Sequence, residues 1–200
     1  MESVSTSDSS KLPFHQHAML LYSNDEDKAA AKYVNEGLGR GYLTVYVPVD
    51  TDDNASHTKM ASEIVNYEDD ANHGNLLTLD IGSFYKFALA GNLQPFEELK
   101  TIVEEAIKER IISKRNDEVI LVMGVVGGLA ENQKFNECLN VEKWWQKTHS
   151  EWLQKGQKVT IICPHPSPIL EKNQFIHYKQ TISSLHDITL DRISGLSSST

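Results

Sequence analysis

Short, uninterrupted apolar runs, separated by stretches with helical periodicity, constrain the fold of this chain more than any other feature. Segments 18–22 (AMLLY), 42–49 (YLTVYVPV), 76–81, Val119–Met123 and 159–163 are too short for buried helices and read as strands. Between them, apolar residues recur at helical spacing. Ala30, Tyr33, Val34 and Leu38 mark a helix that opens at Ser23 and is ended by Gly37, Gly39 and Gly41. Its start, Ser23-Asn24-Asp25-Glu26, matches a capping box with Ser23 as the N-cap. Met60, Ile64 and Tyr67 mark a weaker helix over 56–67, and Phe84 and Phe87 a short one over 83–90. Pro95 opens a helix to Ile112 with Phe96, Leu99, Val103, Ala106 and Ile111 on its stripe. Cys138, Val141, Trp145, His149 and Trp152 share one face of a helix over 134–154; a last helix over 175–185 precedes an edge strand at 188–190. Strands alternating with helices call for a three-layer α/β domain with a mainly parallel sheet. The wholly apolar Val119–Met123 is expected at its centre.

Charge narrows the functional classes. The 200 residues carry 28 acidic and 19 basic groups, a net charge of −9, all of it in the first half (16 acids, 7 bases in 1–100; 12 of each in 101–200). No long basic stretch exists to neutralise phosphates, so nucleic acid is excluded as a partner. The longest apolar-plus-glycine run, 119–130, is too short to cross a bilayer, and the opening MESVSTSDSSK lacks the apolar core of a signal peptide; a cytoplasmic location without membrane attachment is expected. Two cysteines, Cys138 and Cys163, read as buried thiols. Ser-rich ends at 1–12 and 193–200 read as disordered tails around a single domain over 13–192.

In an open parallel sheet, ligands bind beyond the carboxyl ends of the strands. The exits there are Tyr22-Ser23-Asn24, Gly124-Val125-Val126-Gly127-Gly128 and Cys163-Pro164-His165-Pro166. The first is informative by what it lacks. A phosphate loop needs glycines, bare amides and a lysine between strand and helix; here Asp25, Glu26 and Asp27 occupy that place, and Lys28 is the only cation beside them. Val119–Met123 ends in Gly124 rather than a magnesium-binding carboxylate. Ordinary ATP hydrolysis is therefore excluded.

The glycines at Gly124, Gly127 and Gly128 could form an anion nest, but without a partnering Lys or Ser/Thr they read better as letting a loop turn sharply or approach a neighbouring backbone. Prolines flanking His165 fix a loop that aims its imidazole into the crevice. Cys163, His165, His177 and His186 invite a metal reading, as does the His15/His17 pair. The absence of any C-x-x-C or H-x-x-x-H spacing argues against it. Trp145, His149 and Trp152 read as helix-on-sheet packing, while Trp144 lies off the stripe and could line a pocket or a subunit contact. No nucleophile motif or acid–base pair stands out, so no catalytic residue is assigned. The expected ligand-binding set is Tyr22, Ser23, Asn24, Gly124, Gly127, Gly128 and His165, with no metal and no cofactor.

His17-Ala-Met-Leu-Leu-Tyr22, the acidic helix start after it, and Glu36-Gly-Leu-Gly-Arg-Gly-Tyr-Leu-Thr-Val-Tyr46 resemble the opening of the methanogen/methylotroph sensory (MEDS) domain. Ile161-Ile-Cys-Pro-His165 is similar to that family's cysteine-containing strand, and Leu185-His186 to its terminal Leu-His. The resemblance implies a RecA-like, KaiC-like core without its phosphate loop, serving as a sensory domain. Two departures stand out: Pro164-His165-Pro166 replaces a Tyr-Asp, and the Val125-Val126 region replaces an acid. The function expected is non-catalytic signal transduction, with a small ligand or a signalling protein bound at the carboxyl edge of the sheet. Self-association is left open. The alternatives are a degenerate nucleotide-binding, ATPase-like regulator and a pure interaction or assembly module.

Overall fold

A computed structural model describes residues 6–7, 12–47, 61–79 and 84–190. In chain order the elements are β1 Thr6–Ser7, β2 His17–Tyr22, α1 Glu26–Gly39, β3 Leu43–Val47, α2 Tyr67–Asn72, β4 Leu76–Thr78, α3 Phe84–Leu89 and α4 Gln94–Ile112. Then follow β5 Val119–Met123, α5 Gly124–Glu131, α6 Phe135–Gln154, β6 Val159–Pro166, α7 Ser167–Leu170, a 3₁₀ turn at Asn173–Phe175, α8 Ile176–Ser183 and β7 Ile188–Leu190. The strands form one sheet in the order β1-β7-β2-β6-β5-β3-β4, and every pairing is parallel. With helices on both faces, this is a three-layer RecA-like α/β fold. Among the described residues no helix is long and apolar enough to cross a membrane.

Two-residue alternation sorts each strand between the layers. In β2, Ala18, Leu20 and Tyr22 pack toward α1 with Tyr33 and Val34, while Met19 and Leu21 face the opposite layer of α3, α4, α5 and α6. In β6, Ile162 joins the α1 side, and Ile161 and Cys163 the other. By the same parity His17 and His165 point toward α6, a placement that decides the chemistry below.

The α6 stripe holds as expected: Cys138, Val141, Trp145, His149 and Trp152 are all buried. β5 lies inside the sheet between β6 and β3, although the middle strand is β6. Several expectations are corrected. α1 begins at Glu26 with Asp25 as its N-cap, whose carboxylate accepts from the Lys28 N–H at 3.2 Å, so Ser23 does not head a capping box. Gly37 lies inside α1 rather than ending it. A Cβ there would lie 2.5 Å from Ile120 Cδ1 and 2.8 Å from Thr44 Oγ1, so the glycine lets the helix touch the sheet. The α4 stripe runs Phe96, Leu99, Val103, Ile107, Arg110, leaving Ile111 exposed; the buried Arg110 guanidinium donates to the carbonyls of Gly41 and Asn116. In α3 the buried pair is Phe84 and Ala88, not Phe84 and Phe87.

Residues 124–128, read as a loop at a strand exit, belong to a helix, α5, that starts directly at the end of β5. Residues 188–190 lie between β2 and β1 rather than at an edge. Within the stretch expected to be a loose N-terminal tail, Thr6–Ser7 pairs with β7 and Leu12 is buried. The 193–200 tail and residues 56–60, Met60 among them, lie outside the described residues; of the rest of the expected 56–67 helix, 61–63 are helical, 64–66 are not, and Ile64 is buried.

Candidate functional site

The carboxyl edge of the sheet is filled by the protein's own acids. Tyr22 ends β2, and its hydroxyl donates to Glu131 Oε1 at 2.8 Å. Glu26, in the first turn of α1, turns its carboxyl back beside it. A Cβ built on Gly127 would lie 2.9 Å from Glu26 Oε2, 3.3 Å from the Tyr22 hydroxyl and 2.8 Å from the Pro164 carbonyl. Gly127 is therefore glycine because three groups crowd it. Glu26 Oε1 is buried with no hydrogen-bond partner among the described residues. Burial, with Glu131 and Asp27 close by, pushes the Glu26 carboxyl well above the ordinary range. Burial, Glu26 and Glu131 raise the Tyr22 phenol, and burial with Glu26 and Asp27 raises that of Tyr46, which donates to Asp27 Oδ1 at 3.1 Å.

Of the expected ligand-binding residues, Tyr22 and Gly127 come together here. Ser23 is half-buried and Asn24 exposed on the turn beside them. Gly124 and Gly128 are buried within α5. None of Gly124, Gly127 and Gly128 has a positive φ, so they form no nest; Gly127 is a site of close approach. His165 is elsewhere. It is fully buried, its Nε2 is 2.7 Å from Glu142 Oε1, and the flanking prolines carry it along β6 into the interior instead of into the crevice. Trp144, half-buried, donates to Glu97 and lines a surface groove with Ala88, Leu93 and Lys147.

A second polar site lies between the sheet and α6, where composition would place only core. Glu142 is 0 % exposed and sits among three imidazoles. Oε1 faces His165; Oε2 lies 3.3 Å from His17 Nε2 and 3.2 Å from His186 Nε2. His17 Nε2 is also 3.4 Å from Cys163 Sγ. The two Oε2 contacts lack hydrogen-bond geometry: Glu142 Oε2 and His186 Nε2 are buried polar atoms without a hydrogen bond among the described residues.

The far nitrogens of two of these rings are fixed by backbone. A carbonyl can only accept, so His17 Nδ1–H donates to Leu185 O at 3.1 Å and His186 Nδ1–H to Ile182 O at 2.8 Å. Asp187 clasps the start of β2, accepting the His17 N–H at 2.7 Å and donating its own N–H to His17 O at 2.7 Å.

Burial alone would raise the Glu142 carboxyl, but His186, His165 and His17 hold it well below the ordinary range. Burial and His186 push His17 down to about 4, and burial lowers His165. Burial also opposes charge on His186, but Glu142 raises it above the ordinary value. The Cys163 thiol is pushed far up by burial and by Glu142.

Carboxylate, thiol and imidazole are the side chains that ligate transition metals, and His17, Glu142, Cys163 and His186 bring four of their ligand atoms within 4.8 Å of one another. Sequence spacing missed this because the groups come from β2, α6, β6 and the turn before β7. One signal was legible. Glu142 falls on the stripe Cys138, Glu142, Trp145, His149, Trp152, and a carboxylate on a buried stripe demands partners. Neither a family model nor a curated protein matches the chain.

Proposed function

We propose that this chain is a non-catalytic sensory domain of signal transduction, of the MEDS type, that takes a small ligand or a protein partner at the carboxyl edge of its sheet. The observation that carries this reading is the Glu26 carboxyl packed against Gly127 and the Tyr22 hydroxyl, at the place where a nucleotide-hydrolysing relative would expose bare amides to phosphate. A carboxyl cannot substitute for those amides: protonated, it fills the place where phosphate would sit, and ionised, it repels the charge the amides attract. The edge instead offers acceptors: the buried Glu26 Oε1, and Glu131 beside the Tyr22 hydroxyl. A ligand suited to it carries hydrogen-bond donors or positive charge.

Thermal denaturation with and without millimolar Mg-ATP or Mg-ADP tests the reading. The melting temperature is expected to stay unchanged with either nucleotide. A rise of several degrees means nucleotide binds the folded chain, and the degenerate ATPase-like regulator replaces the sensor. Native mass spectrometry of the purified protein then looks for a retained small molecule, with Tyr22→Phe and Glu26→Gln expected to lose it.

A further inference from the structure

The interior His–Glu–Cys cluster has no place in the strand-edge reading and stands apart from it. Its four ligand atoms converge from four separate elements, and each belongs to a buried side chain, His186 being the most exposed at 8 %. Three of the distances between them are 3.2, 3.3 and 3.4 Å. In a tetrahedral zinc site with bonds of about 2.0–2.3 Å, neighbouring ligand atoms stand roughly 3.3–3.7 Å apart. These contacts therefore have the length of ligand–ligand edges. The Glu142 Oε2 contacts also lack hydrogen-bond geometry, so they do not read as hydrogen bonds.

Orientation points the same way. Backbone carbonyls hold both Nδ1–H groups, which turns the Nε2 atoms of His17 and His186 toward the carboxylate and the thiol. This is the arrangement that fixes a metal-ligating imidazole in its tautomer. His165 engages Glu142 Oε1, leaving Oε2 for the centre. A divalent ion there, with Glu142 as carboxylate and Cys163 as thiolate, gives a formal charge of zero, so no net charge is buried.

We propose that His17, Glu142, Cys163 and His186 form a closed, four-coordinate site for a divalent transition-metal ion of the zinc type, with His165 as a positioning residue for the carboxylate. All four positions are protein side chains and none reaches the surface, so the site is structural rather than catalytic. Its ion ties the turn before β7 to β2, β6 and α6. Binding releases to solvent the Cys163 thiol proton and any proton on the Nε2 of His17 or His186, because a ligating imidazole nitrogen must be bare.

The test uses the full chain, treated with chelator and titrated with Co²⁺. The expected result is saturation at one ion per chain, with the strong visible bands of tetrahedral cobalt, a near-ultraviolet thiolate-to-cobalt band, displacement by Zn²⁺ and a raised melting temperature with Zn²⁺. Cys163→Ser is expected to abolish the thiolate band and Cys138→Ser to keep it. His186→Gln is expected to weaken Zn²⁺ affinity by at least about tenfold, and His165→Gln by about tenfold with the tetrahedral spectrum retained. Should Cys163→Ser fail to fold, Cys138→Ser still decides, because the chain has only these two cysteines. A folded chain that takes up neither ion overturns the proposal. So does a pale octahedral cobalt spectrum, or a thiolate band that survives in Cys163→Ser.

Discussion

Two buried carboxyls, Glu26 at the edge of the sheet and Glu142 beneath it, have opposite fates. Each loses its water, and burial alone would raise both. Glu26 has Glu131, Asp27 and Asp25 for neighbours and is pushed further up, so it holds its proton to higher pH than a free carboxyl does. Glu142 has His17, His165 and His186, which outweigh burial and keep it ionised. Burial thus sets the stakes, and the sign of the neighbouring charge sets the outcome. The edge is an acidic plug that favours its proton, whereas the interior centre is a carboxylate that favours a counter-charge.

The largest expected effect comes from removing that anion. Glu142→Gln leaves the counter-charge, whether proton or metal ion, without its partner, and should cost about 3–5 kcal/mol in urea denaturation. A variant as stable as the parent chain would mean that the imidazoles do not depend on the carboxylate, and the contrast between the sites would fail. Next comes Gly127→Ala at the edge. The new methyl collides with the Pro164 carbonyl and the Glu26 carboxyl, for a loss of about 1–3 kcal/mol. Adding Glu26→Ala should recover part of that loss; no recovery would place the strain on Pro164 alone.

Glu26→Gln should stabilise, on the order of 1 kcal/mol at neutral pH, because the amide needs no proton. The sign follows from linkage. Glu26 has a raised folded pKa, so its destabilising share is absent below the unfolded value of 4.5 and grows as pH rises toward the folded one. The variant's advantage should therefore widen from pH 4.5 upward. An advantage that shrinks instead would show Glu26 ionised and paired. The half-buried ion pair of Lys100 with Glu151, at 2.6 Å, gives the baseline: Lys100→Gln should shift stability by about 1 kcal/mol or less.

Much of the fold was legible because it rests on local rules. Strand positions and the α6 stripe follow from two- and 3.6-residue periodicity. Local patterns misled where packing overruled them. Gly37 looked like a helix stop but is a contact point with Ile120 and Thr44. The run after β5 looked like a loop because glycine is a poor helix former, yet the core holds it as α5. At the edge, the acidic turn was visible in sequence, but Glu26 folding back onto Gly127 was not. His165 misled most: its prolines suggested a crevice loop, while strand parity turns it toward α6.

The sequence by itself determined that this is an alternating α/β chain whose strand at 18–22 leads into acids instead of a phosphate loop, because periodicity and local charge act between residues close in the chain. Only the tertiary structure decided that His17, Glu142, Cys163 and His186 meet. They are spread over 170 positions, from 17 to 186, and their meeting depends on which strands become neighbours and which face each residue takes. Both are fixed by the packing of the whole sheet.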